Sequence, residues 1–193
     1  LYDIRQGEAS IYHQYQAAIK SAKRTLYIEN QHIAHNYLLD LIIEALQRGV
    51  LVFYLVPGQG MGAAVSVWRK TSQWKHDVEH GKIPRETPPP AYSQIFLKYL
   101  PALSSYPNFC LVGLAVKDHN QEFEYVYVHS KLLIVDEEWF TLGSANLVDI
   151  SFEKDHTELN IAVWEPNTAR KLFNQLIQEH TGKDVSQLSG LDA

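Results

Sequence analysis

The run His129-Ser130-Lys131, followed by the apolar stretch Leu132-Leu133-Ile134-Val135, sets an imidazole and an ammonium two residues apart. Side chains on an extended chain alternate between faces, so His129 and Lys131 project to the same side. A nucleophile or base then stands beside a fixed cation. Asp136-Glu137-Glu138 reads as a turn into a second apolar run, Trp139-Phe140-Thr141-Leu142, and Gly143-Ser144-Ala145-Asn146 follows it. With Val135 opposite Trp139, the hairpin brings residues 143–145 alongside residues 129–131, and the Ser144 hydroxyl and Asn146 amide approach the imidazole and ammonium.

A set of this kind suits a phosphodiester. Attack on that anion requires charge to be neutralised on its non-bridging oxygens while a nucleophile arrives in line with the leaving oxygen. Lys131, Ser144 and Asn146 supply a cation and neutral donors, so the charge work is expected to need no metal or other cofactor. Neutral histidine attacks phosphorus covalently when a partner on its other ring nitrogen fixes the tautomer. Glu158, in Thr157-Glu158-Leu159-Asn160, is the candidate partner, with His156 a nearby competitor. The leaving alkoxide also needs a proton, which a second histidine would give, and the sequence offers no obvious second copy of the cluster.

The pattern His-x-Lys-x4-Asp-x6-Gly-Ser-x-Asn resembles the HKD signature of the phospholipase D superfamily, with every specified position present at the family spacing. Tyr27-Ile28-Glu29-Asn30-Gln31 is similar to the strand-end motif before the second HKD of long phospholipase D proteins. Residues 158–164, with a helix ending Glu179-His180-Thr181-Gly182, are similar to their C-terminal segment. The resemblance implies His129, Lys131, Asp136 and Glu158 as the catalytic set. His129 would form a phosphohistidyl intermediate, Lys131, Ser144 and Asn146 would contact phosphate, Glu158 would orient the histidine, and Asp136 would act mainly by tying down the turn. It also implies a second HKD element, from an upstream half of a longer polypeptide or from a homodimer mate, and a phospholipid substrate cleaved or transferred at its headgroup. One departure stands out: many relatives continue Gly-Ser-x-Asn into a segment ending Arg-Ser, and Ile150 occupies the arginine's place.

Composition bounds these readings. At 193 residues, with 46% hydrophobic and 11% aromatic content, the chain fits one domain over residues 1–193 with an insertion at about 58–90. A net charge of −5 gives no global attraction to a polyanion, which places nucleic acid behind phospholipid as a partner. The single cysteine, Cys110, reads as a small buried hydrophobe in an apolar run. No stretch reaches the ~20 apolar residues that span a bilayer and no signal-peptide pattern opens the chain, so any membrane association is expected to be peripheral. The chain opens on Leu1, as a processed product or an excised half would.

The elements that must position the cluster follow from periodicity. Residues 7–23 have helical spacing and residues 25–28 read as a strand; Asn36 caps a helix over residues 37–48 that stops at Gly49, and residues 50–56 form a buried strand. Strand, helix, strand predicts an α/β fold with a mixed, largely parallel sheet flanked by helices, joined later by the antiparallel hairpin. A helix over residues 91–100, strands over 109–116 and 158–164 and a terminal helix over 166–180 complete the pattern. In the insertion, Met61, Val65 and Trp68 recur at helical spacing beside Arg69, Lys70 and Lys75. They predict a short helix that packs as a surface insertion, covers the site or touches a lipid interface. Gln31 and His32 end the first strand, where ligand contacts gather in open α/β sheets, and form a candidate pocket. His32 and His35 lack a carboxylate or cysteine at a telling distance and are not read as metal ligands. The rivals to a phospholipid enzyme are a homodimeric single-HKD nuclease and a catalytically silent module that keeps the fold for binding.

Overall fold

The computed structural model describes residues 7–58, 62–153 and 156–184. Helix α1 (Ser10–Ser21) leads into β1 (Thr25–Asn30), α2 (Asn36–Gln47) and β2 (Leu51–Val56). Next come α3 (Gly62–Glu79), a π-helical turn (Ile95–Tyr99), α4 (Leu100–Ser104) and the strands β3 (Phe109–Gly113), β4 (Ala115–Lys117) and β5 (Phe123–Tyr125). The hairpin β6 (Lys131–Val135) and β7 (Trp139–Gly143), the short α5 (Asp149–Phe152), β8 (Asn160–Trp164) and α6 (Pro166–Thr181) complete the chain.

Six strands form one mixed sheet in the order β3-β2-β1-β6-β7-β8. Ladders β1/β2 and β2/β3 are parallel, whereas β1/β6, β6/β7 and β7/β8 are antiparallel. Strands β1, β2, β3 and β7 therefore run one way and β6 and β8 run against them. The central strands are buried along their whole length, which explains why β6 reads as an unbroken apolar run rather than an alternation. Leu26, Ile28, Leu133 and Val135 pack with Tyr15, Ile19, Leu38 and Ile42 of α1 and α2 on one face. Tyr27, Leu132, Ile134 and Phe140 pack against Ala169, Leu172 and Phe173 of α6 on the other. Each such side chain removed from water contributes about 1.5–3 kcal/mol, so the two faces fix the register of the central strands.

Several boundaries differ from the sequence expectation for identifiable reasons. Helix α1 starts at Ser10, where Glu8 accepts from the Ser10 N–H and hydroxyl, and ends where Ala22 turns extended. His35, not Asn36, caps α2: its Nδ1 accepts from the Leu38 N–H at 3.3 Å. The helix expected over residues 91–100 begins as the π-helical turn at Ile95 and runs on through Pro101. Proline is tolerated there because it falls at the second position of α4, where no intrahelical N–H bond is required. The strand expected over residues 109–116 breaks in two: β4 pairs with β5 in a separate small sheet, and β3 is an edge strand on which Cys110 is exposed rather than buried. Strand β8 begins at Asn160, two residues after Glu158. The insertion helix is longer than expected, Gly62–Glu79, and Trp74 Nε1 ties it to the Thr87 carbonyl at 3.1 Å. Met61 lies outside the described residues. Among the described residues no helix is long and apolar enough to cross a membrane.

Candidate active site

The hairpin register is the expected one: Val135 faces Trp139 and Leu132 faces Leu142, so Gly143 comes level with Lys131. The turn between them places Asp136 at φ 53° and Glu137 at φ 58°, with the Glu138 N–H donating to the Val135 carbonyl. The connection is thus three residues, 136–138, with two successive left-handed positions that turn the chain back on itself. Asp136 is committed at this end. Its carboxylate accepts from the backbone N–H groups of Lys23, Arg24 and Thr25 at 2.8–3.2 Å, pinning the turn to the start of β1. The whole of β6, Lys131–Val135, separates Asp136 from His129, roughly 17 Å at about 3.3 Å per residue. The structure therefore does not bring Asp136 into the pocket with the rest of the candidate set.

At the opposite end of β6, His129, Lys131, Gly143, Ser144, Asn146, His156, Thr157 and Glu158 line one open pocket. His129 is exposed, and its ring lies 6.2 Å from that of Tyr127 at 25°. Lys131 is buried, and its Nζ donates to the His129 carbonyl at 2.5 Å and to Gln31 Oε1 at 3.3 Å. Burial holds the Lys131 ammonium below the usual lysine range, opposed by the charge of Glu158. Gln31 Nε2 in turn donates to the Tyr127 hydroxyl at 2.6 Å. Gln31 thus reaches the site directly. His32 lines the adjoining cavity rather than the pocket. Burial, then the charges of Lys131 and His129, lowers the His32 pKa and favours its neutral form.

Glu158 lies in the pocket but is not bonded to His129. Its Oε2 accepts from the Ser144 hydroxyl at 2.5 Å and its Oε1 pairs with His156 Nδ1 at 3.6 Å. The Ser144 oxygen also accepts from the Leu159 N–H at 3.0 Å. Asn146 Oδ1 is buried with no hydrogen-bond partner. An oxygen of that kind, lining a cavity, is costly unless something binds there.

The loop that carries Ser144 and Asn146 is built by residues to which the sequence reading gave no role. Asn30 at the end of β1 is fully buried; its Oδ1 accepts from the Leu147 and His32 N–H groups, and its Nδ2 donates to the Ala145 carbonyl. Asn160 at the start of β8 accepts from the Ala145 N–H and donates to Thr141 Oγ1. Gly143 faces Asn160 so closely that a Cβ there would lie 2.2 Å from Asn160 Oδ1 and from the Leu159 carbonyl. The sequence signal for Asn30 and Asn160 is their place in the strand-end motif and in residues 158–164, which marks the segments but says nothing of what the amides bond.

A second cavity of about 700 Å³ opens beside the pocket and shares Asn146 and His156 with it. Its wall is apolar, including Trp68 of α3, Ile95, Phe96, Leu100, Leu111 and Ile150. Ile150, the residue in the arginine's place, thus contributes hydrocarbon to this wall. Trp68, Leu111 and Tyr127 both line the cavity and are exposed, so they form its rim. Among the described residues no group of three His, Cys, Asp or Glu side chains is placed to hold a metal.

Comparison with known proteins agrees with this architecture. The chain is 24% identical to Phospholipase D of Phytophthora infestans over 96% of its length. It is 27% identical to Phospholipase D A of Dictyostelium discoideum over 75%, and 28% identical to Phospholipase D1 of Rattus norvegicus over 89%. It spans only 12%, 12% and 18% of those relatives. Two solved structures share the fold at 18% identity: NucT from Helicobacter pylori, with a TM-score of 0.58 over 90% of this chain and 88% of that one, and Nuc from Salmonella typhimurium, a phospholipase D family member, with a TM-score of 0.54 over 89% and 86%. The family model described as "Cardiolipin synthase, PLD-like domain" matches residues 15–180, so the pocket at the end of β6 sits within a chain that belongs to the phospholipase D-like family.

Proposed function

We propose that the chain is one HKD-bearing half of a phosphodiesterase of the phospholipase D type, acting on phospholipid headgroups. An imidazole nitrogen of His129 attacks phosphorus; the N–P bond forms as the bond from phosphorus to the headgroup oxygen breaks. The leaving oxygen takes a proton from a histidine of a second HKD element, an upstream half or a homodimer mate. Water or an acceptor alcohol, giving its proton back to that second histidine, then attacks phosphorus; the O–P bond forms as the N–P bond breaks, and the His129 imidazole is restored. Lys131, Ser144 and Asn146 hold the phosphate oxygens. Glu158 moves from Ser144 to His129 when phosphate takes the Ser144 hydroxyl.

The observation that carries the substrate class is the junction of the two cavities. A polar pocket around His129 shares Asn146 and His156 with an apolar cavity of about 700 Å³, so a phosphate and an attached hydrocarbon chain find matching surfaces side by side. The exposed Trp68, Leu111 and Tyr127 at the rim suit a peripheral contact with a lipid surface. One feature favours the rival nuclease: Phe123, Tyr125 and Tyr127 are exposed at alternate positions leading to His129, a spacing on which bases of a single strand could stack.

The test is a side-by-side assay of the assembly on phosphatidyl lipids, single-stranded DNA and double-stranded DNA, with mass followed by light scattering. Lipid turnover that appears only in the dimer, or with the upstream half added in trans, is the expected result. Salt-sensitive DNA cleavage without lipid turnover assigns the nuclease. High activity in a proven monomer makes the second element dispensable and turns the search for the acid to His156, which already lines the pocket.

A further inference from the structure

His129 and Ser130 lie outside the sheet. The β6 ladder begins at Lys131, opposite Asn30, and includes neither residue. The sheet's own hydrogen bonds therefore do not fix the nucleophile's backbone, and side-chain bonds must do so. Lys131 grips the segment from the pocket side through the His129 carbonyl. Ser130 faces the other way, and its hydroxyl donates to Glu29 Oε2 at 2.5 Å.

Glu29 is unusual in its own right, a carboxylate in a strand whose residues are all buried. Its Oε1 accepts from the Tyr27 hydroxyl at 2.5 Å and meets His180 Nε2, in the last turn of α6, at 3.1 Å. The Glu29 and His180 side chains are 8% and 10% exposed. A buried carboxylate costs several kcal/mol unless paired and hydrogen-bonded, and Tyr27, His180 and Ser130 together meet that requirement. Tyr27 and His180 tie Glu29 to the sheet and to α6. Ser130 alone ties it to the segment that carries His129 and Lys131.

We propose that Glu29 and Ser130 are positioning residues that hold the His129–Lys131 segment from behind, so that the imidazole and ammonium keep one mutual geometry. This role rests on the reading of His129 as the nucleophile. A nucleophile on irregular backbone loses rate steeply when misplaced, because an error near 1 Å costs up to about 10²-fold. Lys131 stays in the β6 ladder opposite Asn30 when the latch opens, and Ser144 and Asn146 are on another loop, so the phosphate contacts persist and the loss falls on kcat rather than KM.

The test uses the full chain in its active assembly, with phosphatidyl lipid as substrate and variants kept at temperatures where circular dichroism shows them folded. Thr and Val have nearly the same shape, but only Thr keeps the hydroxyl. Ser130→Thr is expected to turn over within about twofold of the native chain, while Ser130→Val loses about 10- to 100-fold in kcat with KM within about twofold. Glu29→Gln keeps an acceptor and loses less than Glu29→Ala. The double variant Ser130→Val/Glu29→Gln is no slower than the slower single one, since both break one bond. A Val variant as fast as the Thr variant, or losses that multiply in the double variant, overturns the proposal. The imidazole C2–H resonance of His129, followed by NMR in the lipid-free protein, reads the latch without any turnover. One narrow line in the native and Thr chains and a broadened or split line in the Val chain is expected. Identical spectra overturn the latch even if no lipid is ever cleaved.

Discussion

Asp136 belongs to the family signature yet sits at the wrong end of β6 for chemistry, which makes its removal a sharp test of the structure. In Asp136→Ala, the N–H groups of Lys23, Arg24 and Thr25 lose their acceptor. A buried donor left unpaired costs about 1–3 kcal/mol; since two of these sites are only part-buried, the lower end applies and the three together reach about 3–4 kcal/mol. Alanine held at φ near 53° adds about 1 kcal/mol of left-handed strain that aspartate tolerates better. The total, about 4–5 kcal/mol, lowers the melting temperature of a chain this size by about 10–20 °C. Asp136→Asn keeps one acceptor oxygen and the turn preference, and should lose about 1–2 kcal/mol. Thermal unfolding by circular dichroism measures the loss, and turnover well below the transition measures the chemistry. Both variants should keep kcat within about threefold of native once folded. A folded Asp136→Ala chain with an unshifted transition and a kcat reduced a hundredfold would refute the reasoning and return Asp136 to the catalytic set.

His129→Asn should fold normally and lose at least ~10³-fold in turnover, measured by headgroup release, because the proposed covalent intermediate forms on its imidazole. EDTA should leave the native rate unchanged; loss on chelation with recovery on adding a divalent ion would count against phosphohistidine chemistry. Gly143→Ala drives a Cβ into Asn160 and the Leu159 carbonyl, and is expected to cost about 1–3 kcal/mol in urea denaturation. Burial lowers the pKa of His35 below its ordinary 6.5 despite Glu153, and burial lowers that of His32 too. The neutral forms are favoured in the fold, so this stability is complete above pH 6.5 and declines as pH falls towards the lower folded-state values. In His35→Asn, which still caps α2, the fall in melting temperature between about pH 7 and pH 5 should be shallower.

The hairpin was legible because its signals agree: an apolar run too uniform for a one-sided strand, a charged turn, and a second run whose register the turn length fixes. The placement of Lys131, Ser144 and Asn146 in one pocket followed from it. Glu158 falls in the expected pocket, but here it meets Ser144 and His156 rather than His129, since sequence spacing carries no information about which donor a carboxylate picks among the three. Glu29 is legible only as part of the strand-end motif, without a role, because its three partners come from Tyr27 two residues away and from positions 101 and 151 residues downstream. The β4–β5 sheet was missed because residues 109–116 look continuous, and three exposed residues at 123–125 give no period to read. The aromatic wall of the cavity likewise depends on α3 and the π-helical turn folding over the sheet, a tertiary choice.

The path of the chain also sets the order in which the site is completed. His129, Lys131, Ser144, Asn146 and Glu158 all fall within a meander of neighbouring strands, β6, β7 and β8, whose contacts span few residues. Gln31, Asn30 and Glu29 reach that meander across about 100 intervening residues. Closing so long a loop is entropically slow relative to closing a hairpin. A refolding chain therefore assembles its phosphate-facing side while the nucleophile is still unlatched, and pulse-labelled hydrogen exchange should protect the amides bonded between β6 and β7 before those bonded between β1 and β6. Competence at this site is a late event of folding, so a partially folded chain would display the whole signature and do no chemistry.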